Sequence, residues 1–367
     1  MPCKRLNRGQ VQMKPLAERE NRQNIEIDAV MPDQMPKKMN ESAAKIIEET
    51  AERIGRAMAD KKPVMLAFGA HTIKNGLAPV LNHFLENGWV THLATNGAGV
   101  IHDWEYAYLG KTSEYVAANV ADGTFGNWYE TGFYLNLALV IGAYEGLGYG
   151  EAVGKMISTQ GLDIPDPQRL ADDAAAMIED APEQAAAALD LLATIRRFDL
   201  QAGRMDIPHP FKKYSVQAKA YDLGVPFTSH PMFGHDIIYN HPLNHGAAIG
   251  RAAQRDFLTF AEGVSRIDGG VYLSIGSAVM SPMIFEKSMS MAQNIALQQG
   301  RRIENHFIVV VDLAASTWDW SQGEPPEDSP DYYLRYNKSF SRMGGNMRYL
   351  QADNRDFLLA VGQRLNQ

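Results

Sequence analysis

Four times along the chain a short apolar run breaks at a turn of small residues and gives way to a helical pattern. PVMLAFG leads through AHTIKNG into LAPVLNHFLENG, and THLATNG leads through AGVIHDWE into a helix-like segment. VPFTSH precedes HGAAIGRAAQRDFLTFAEGVSR, and GGVYLSIGSAV precedes PMIFEKSMSMAQNIALQQG. A fifth run, HFIVVVDLA, opens into a Trp- and Pro-rich loop. Strands that alternate with helices in this way predict an α/β fold with a doubly wound, mainly parallel sheet covered by helices on both faces. Such sheets bind ligands at the carboxyl ends of their strands, where strand order reverses, so the small-residue turns are where a site is expected.

The remaining segments fit around that plan. Residues 1–40 are polar, show no sustained period, and read as an N-terminal extension or arm. ESAAKIIEETAERIGRAM repeats apolar residues at three- and four-residue spacing, which predicts an amphipathic helix capped by Asn40 or Ser42. Residues 41–367 read as a single α/β catalytic domain, with an alanine-rich, acidic helical insertion near 165–200 whose charges form a solvated face. The longest apolar stretch, FYLNLALVIGAYEGLGYG, is interrupted by Asn136 and Glu145 and reads as a buried helix rather than a membrane span.

Charge and cysteine usage narrow the partners. A formal net charge of −8 disfavours broad binding to nucleic acid or anionic membrane, which needs clustered Lys and Arg, and suits a cationic small molecule. Cys3 is the single cysteine, so an internal disulfide and a cysteine-based zinc site are both excluded. With no apolar leader in the first residues, a cytoplasmic, reducing location is expected.

Three turns carry the candidate chemistry. ATNGAGVIHDWE, with Asn96, Gly97, Ala98 and Gly99, lets backbone approach a phosphate or ribose, and on spacing alone it is either a nucleotide loop or a plain strand-to-helix turn. FGAHTIKNG and SIGSAVMSP occupy the same position after their strands, so all three converge on one edge of a parallel sheet, which favours dinucleotide binding. HPMFGHDIIYNHPLNHG brings His230, His235, His241 and His245 near Asp236. Their spacing matches no helical metal motif, and the preferred reading is a polar pocket wall in which Asp236 faces a cation, with no metal. No GxSxG elbow accompanies the serines, which disfavours hydrolase chemistry. Near the C-terminus, SPDYYLRYNKSFSRM sets Lys338 among Tyr332, Tyr333, Tyr336 and Phe340, as either a snorkelling surface charge or an amine held for chemistry.

Taken together, TNGAGVIHDWE, HDIIYNH, GGVYLSIGSAV and SPDYYLRYNK resemble the deoxyhypusine synthase family over about residues 64–359. The resemblance implies a Rossmann-like deoxyhypusine synthase fold, NAD as cofactor, and transfer of an aminobutyl group from spermidine or a related polyamine to an amine acceptor. In the family a Pro-Asp pair precedes by eight residues the lysine that forms an imine with the transferred group, and Pro330, Asp331 and Lys338 reproduce that spacing. Lys338 is thereby the implied nucleophile, and desolvation by aromatics would supply the neutral amine it needs.

Tyr336 stands where the family has a substrate-contacting tryptophan, and Asp236 matches the aspartate that meets the substrate amine. Asn96, Gly97, Ala98, Gly276, Ala278, Ala352 and Asp353 match cofactor contacts, and Ala70 and Lys74 fall where the family has serines near the phosphates. Tyr332 replaces a glutamate, Pro282 a histidine and His102 an acidic residue, departures that bear on substrate and acceptor. The acceptor is a protein lysine or, in a homospermidine-synthase-like enzyme, a free diamine. A non-catalytic NAD- or polyamine-binding homologue and an ordinary amine dehydrogenase are the rival readings. The family also implies a homotetramer with an N-terminal segment able to cover a neighbouring site.

Overall fold

The structure, a computed structural model, describes residues 3–367. Its centre is a sheet of six parallel strands: β1 (Val64–Phe68), β2 (His92–Thr95), β3 (Phe227–Ser229), β4 (Val271–Ile275), β5 (Phe307–Asp312) and β6 (Asn346–Gln351). Reading across the sheet the order is β3-β2-β1-β4-β5-β6, with every neighbouring pair parallel. This is the Rossmann-like, doubly wound order, and the winding reverses between β1 and β4.

Parallel strands need crossovers, and the chain supplies helices for them. α1 (Glu41–Ala59) leads into β1, α2 (Ala70–Lys74) and α3 (Ala78–Glu86) link β1 to β2, and α4 (Gly97–Leu109) follows β2. The long excursion between β2 and β3 continues through α5 (Tyr129–Glu145), α6 (Tyr149–Thr159), α7 (Pro167–Met177), α8 (Pro182–Phe198) and α9 (Val216–Leu223). α10 (Gly246–Ser265) links β3 to β4, α11 (Met280–Gln298) links β4 to β5, α12 (Arg335–Ser341) precedes β6, and α13 (Asn354–Leu365) closes the chain.

Alternate residues of each strand feed two separate cores, because successive side chains leave a strand on opposite faces. Val64, Leu66 and Phe68 join Leu273, Val309, Val311 and Phe357 on one face. Met65 and Ala67 join Tyr272, Ile308, Val310, Phe285 and Phe340 on the other. Both faces being buried explains why these strands read as continuous apolar runs. β6 was not among the strands expected from the sequence. It is an edge strand whose residues alternate only partly in burial, and Arg348 on it pairs with Glu49 of α1, so its NMRYLQ composition carries little apolar signal.

Local signals behave as the sequence predicts at several ends. Asn40 caps α1, its side chain accepting from the Ala43 N–H at 2.8 Å. α5 contains the long apolar stretch and is buried, and its end is turned by Gly146 at φ +84°. Among the described residues no helix is long and apolar enough to cross a membrane. α7 and α8 are bracketed by a hairpin pairing Gly161–Ile164 with Gly203–Asp206, and they bury one apolar stripe including Leu170, Ala188 and Leu191.

The N-terminal residues lie along this chain's own body instead of reaching away. Lys14 exchanges backbone hydrogen bonds with Asn127 and Tyr129 at 2.8 Å each, and Gln23–Asn24 pairs with Lys111–Thr112. The Val30 N–H donates to the Gly76 carbonyl at 2.9 Å, and the Lys37 N–H to Asp356 Oδ1 at 3.0 Å. Satisfying these backbone groups within the subunit is what holds the segment down.

The turn after β1 meets the turn after β4 at the reversal point. The Gly69 N–H donates to the Ile275 carbonyl at 3.0 Å, and a Cβ on Gly69 would lie 2.1 Å from the Gly276 carbonyl oxygen. Backbone on both sides leaves nothing to yield. Gly69→Ala is therefore expected to destabilise the fold by about 1–3 kcal/mol or more. A denaturant titration would read this as a lower midpoint at unchanged slope, and an unchanged midpoint would refute the close approach.

Candidate active site

The carboxyl ends of β1, β2 and β4 bring the three glycine-bearing turns to one edge, as the sequence predicts. After β2, Asn96 caps α4, its side chain accepting from the Gly99 N–H at 2.9 Å, so that side chain is engaged in holding the turn. The helix start is packed tightly: a Cβ on Gly97 would meet Asp236 Oδ2 at 2.1 Å, and one on Gly99 would meet Thr95 Oγ1 at 2.2 Å. The Thr95 hydroxyl in turn donates to the Phe68 carbonyl at 2.9 Å, tying the ends of β1 and β2 together. α2, beginning at Ala70, starts without a side-chain cap, whereas in the first turn of α11 the Ser281 N–H donates to Ser277 Oγ at 3.2 Å. Gly276, at φ +57°, lies against Asn354, whose amide donates to Thr72 Oγ1 at 3.2 Å. Ala278 is exposed, Ala352 packs on the core, and Asp353 caps α13 through the Arg355 N–H at 2.8 Å. The glycine-bearing turns and the uncapped start of α2 beside the reversal point fit a dinucleotide phosphate chemically.

A cavity of about 210 Å³ opens beside α4, and Lys74, Ala98, His102 and Asp236 all line it. Residues assigned by resemblance to cofactor and to substrate thus share one wall. Asp236 is 9% exposed and its carboxylate accepts no hydrogen bond among the described residues; burial pushes it up to about 7. Lys74 is half-buried with no partner for its ammonium, and burial together with Arg22 lowers its pKa.

Three charged residues on the same wall were not among the sequence candidates: Arg19, Glu105 and Glu114. Arg19 forms a bidentate pair with Glu105 at 2.7 and 2.8 Å, with both side chains 1% exposed. Thr112 and Thr131 hydroxyls donate to the same carboxylate at 2.5 and 3.2 Å. Burying two ions costs several kcal/mol each, and it is repaid only by such complete pairing. Since the Thr112 proton goes to Glu105, the Thr112 oxygen accepts from His102 Nδ1 at 2.7 Å, leaving His102 Nε2 as an acceptor. Burial lowers His102 to about 4, so it is neutral. Glu114 accepts from Asn119, the Gly126 N–H and the Trp128 indole at 2.6, 3.1 and 3.0 Å. Arg19 lies in the segment read as an arm, and nothing local in the sequence pairs it with Glu105.

Lys338 lies elsewhere on this edge and does not line that cavity. Its side chain is 15% exposed, and its ammonium sits 3.1 Å from the Tyr332 ring centre and 2.9 Å from Glu324 Oε1. Partial burial pulls the amine down, but Tyr332 and Glu324 outweigh it and hold the pKa above the ordinary lysine value. The expectation of an amine neutralised by desolvation is therefore corrected: these aromatics offer a π face and a hydroxyl, and a carboxylate completes a cation site. Glu324, which also pairs bidentately with Arg342 at 2.7 and 2.8 Å, supplies a carboxylate where Tyr332 has replaced the expected one. Asp331 is buried and accepts from the Thr317 hydroxyl at 3.1 Å, and Tyr336 packs toward Tyr349 of β6. Asp319 caps a short turn by accepting from the Ser321 N–H and hydroxyl.

The histidines take separate roles. His230 contacts Thr228, His241 accepts from the Leu243 N–H, and His245 caps α10 by accepting from the Ala248 N–H. His235 lines the cavity beside Asp236. Among the described residues no group of three or more His, Cys, Asp or Glu is placed to hold a metal ion. Pro282 is buried in the first turn of α11.

No protein-family model matches the chain, and no curated protein matches it. Among solved structures it is similar to AgrE in a ternary complex with ornithine and NAD+, at a TM-score of 0.45 and 12% identity, covering 90% of this chain and 34% of that one. It is similar to a conserved LOR/SDH protein from Methanococcus maripaludis S2, at a TM-score of 0.45 and 11% identity, covering 92% of this chain and 74% of that one. It is also similar to ArgZ, an arginine dihydrolase from the ornithine–ammonia cycle in cyanobacteria, at 0.42 and 12%, covering 87% and 32%. The chain spans about a third of the length of the ArgZ and AgrE chains.

The Asp236 carboxyl generates a pH dependence with two opposite signs. Its folded value, about 7, lies above the ordinary 3.8, so the folded state keeps a proton that the unfolded chain has lost between those values. Stability without ligand should therefore fall as pH rises from about 4 to about 7. A cation binds the ionised form, so affinity for a cationic amine should rise through about pH 7. Calorimetric titration across roughly pH 5.5–8.5, about 1.5 units on each side of the midpoint, with Asp236→Asn as the control expected to flatten the profile, checks both the sign and the residue.

Proposed function

We propose that the chain is an NAD-dependent enzyme acting on an alkyl amine, with aminobutyl transfer of the deoxyhypusine synthase kind as its specific reaction. The observation that carries this reading is the unpartnered Asp236 carboxylate packed against Gly97 at the carboxyl edge of a doubly wound sheet. A buried carboxylate without a donor favours a ligand cation. The turns at Gly69–Ala70, Asn96–Ala98 and Gly276–Ala278, with Asp353 beyond β6, would hold NAD, which supplies a hydride acceptor. Asp236 would bind the ammonium end of the donor.

Lys338 is the proposed carrier of the aminobutyl group. Its amine must release a proton before attacking the imine carbon, and Glu324, at 2.9 Å, is the nearest carboxylate to receive it. Attack by Lys338 expels the rest of the polyamine as a free amine. The acceptor amine then displaces Lys338, and the hydride returns to the new imine. The acceptor is a protein lysine or a free diamine such as putrescine.

A homotetramer belongs to the same proposal. Met283, Met291 and Ile295 of α11, with Val279 just before it, are 38–64% exposed, apolar surface suited to a second copy. Sedimentation is expected to give four times the 40.7 kDa chain mass, and a monomer at micromolar concentration would remove this part of the proposal.

Incubating the protein with NAD and spermidine, with and without putrescine, should give new polyamine products by mass. Borohydride should trap an adduct on Lys338 that Lys338→Ala lacks. Net NADH release with unchanged turnover in Lys338→Ala would leave an ordinary amine dehydrogenase, and no turnover with any polyamine would remove the transfer reading.

A further inference from the structure

The small cavity carries two opposite charges that do not satisfy each other. Arg19 and Glu105 cancel within their bidentate pair, and the Glu114 carboxylate is taken up by the Asn119, Gly126 N–H and Trp128 donors. What remains is the Lys74 ammonium, without a hydrogen bond or ion pair among the described residues, and the Asp236 carboxylate, also without a partner. Both line the same cavity, yet no ion pair forms between them. Lys74 is held in place from behind, because the Tyr106 hydroxyl donates to its backbone carbonyl at 2.9 Å at the end of α2. Asp236 is held against the start of α4 by the absence of a side chain at Gly97.

We infer that this cavity binds an amino acid, with its carboxylate on Lys74 and an ammonium on Asp236. A ligand bearing only positive charge satisfies Asp236 but leaves Lys74 without a counter-charge. A zwitterion satisfies both and removes the cost of leaving a buried carboxylate and a half-buried ammonium unpaired. Size agrees: about 210 Å³ is below the roughly 300–1,000 Å³ of pockets for drug-sized ligands, so a free amino acid suits it and a whole dinucleotide does not. His102 Nε2, an acceptor on the same wall, provides a further contact for the ligand ammonium. The inference deepens the proposed reaction, on which it rests for what is done with the ligand: once the released diamine has left Asp236, the acceptor that takes its place is an amine that also carries a carboxylate, rather than a protein lysine or a plain diamine.

The test is calorimetric binding to the full chain with two matched pairs that differ only in the carboxylate: L-lysine against cadaverine, and L-2,4-diaminobutyrate against 1,3-diaminopropane. The amino acid of at least one pair should bind about tenfold more tightly, the scale of one charge-assisted hydrogen bond. Lys74→Met should bring that ratio to about one without weakening the diamine, while Asp236→Asn should weaken both members. Diamines binding as tightly as their amino acids, no binding by either pair, or a ratio that survives Lys74→Met would overturn the inference. So would a Lys74→Met variant that loses about tenfold in NAD affinity while keeping the amino-acid preference, because Lys74 would then hold a cofactor phosphate. These measurements need neither turnover nor Lys338, so their failure is separable from failure of the transfer reaction.

Discussion

The parallel pairing of Val64–Phe68 with Val271–Ile275 is the constraint on which the rest of the structure depends. It joins the first half of the sheet to the second, and from that seam the chain winds outward in both directions. Because the two halves wind oppositely, the connections leaving β1 and β4 depart toward opposite faces, and their turns flank a crevice. The contact of Gly69 with the Gly276 carbonyl brings these turns closer than any side chain would permit. The neighbouring β2 turn is fastened to the same edge by Thr95.

Electrostatics then select what this edge can do. The Arg19–Glu105 pair, closed by two threonine hydroxyls, fixes the N-terminal segment as a wall of the cavity. Its completeness is what makes it inert: each charge is consumed by the other. Lys74 and Asp236 were left out of that settlement, and burial alone raises one and contributes to lowering the other. A site of this kind is defined less by the charges it contains than by those that remain unsatisfied.

Lys338 illustrates how the same residue types can produce opposite chemistry. Aromatic surroundings desolvate an amine when they are only apolar, yet Tyr332 offers the ammonium its ring face at 3.1 Å. Glu324, from the loop after β5, adds a full opposite charge. The amine is therefore stored as a cation, and the chemistry proposed for Lys338 would begin with a proton transfer rather than with a free lone pair.

Much of the fold was legible because its signals are local. Apolar runs of strand length, small-residue turns and the Asn40 cap act within a few residues, so the doubly wound plan and the convergence of three turns could be read directly. β6 was not legible, since an edge strand with Arg348 and Tyr349 has little need for apolar alternation. Nor were Arg19, Glu105, Glu114 and Glu324, whose roles arise from contacts such as Arg19 with Glu105 that no sequence spacing encodes. The sequence by itself determined the parallel architecture and the edge at which the small-residue turns converge, because periodicity and turn chemistry are properties of neighbouring residues. Only the tertiary structure decided which charges are cancelled and which stand open, because that depends on distances across the fold and on how much water each group has lost.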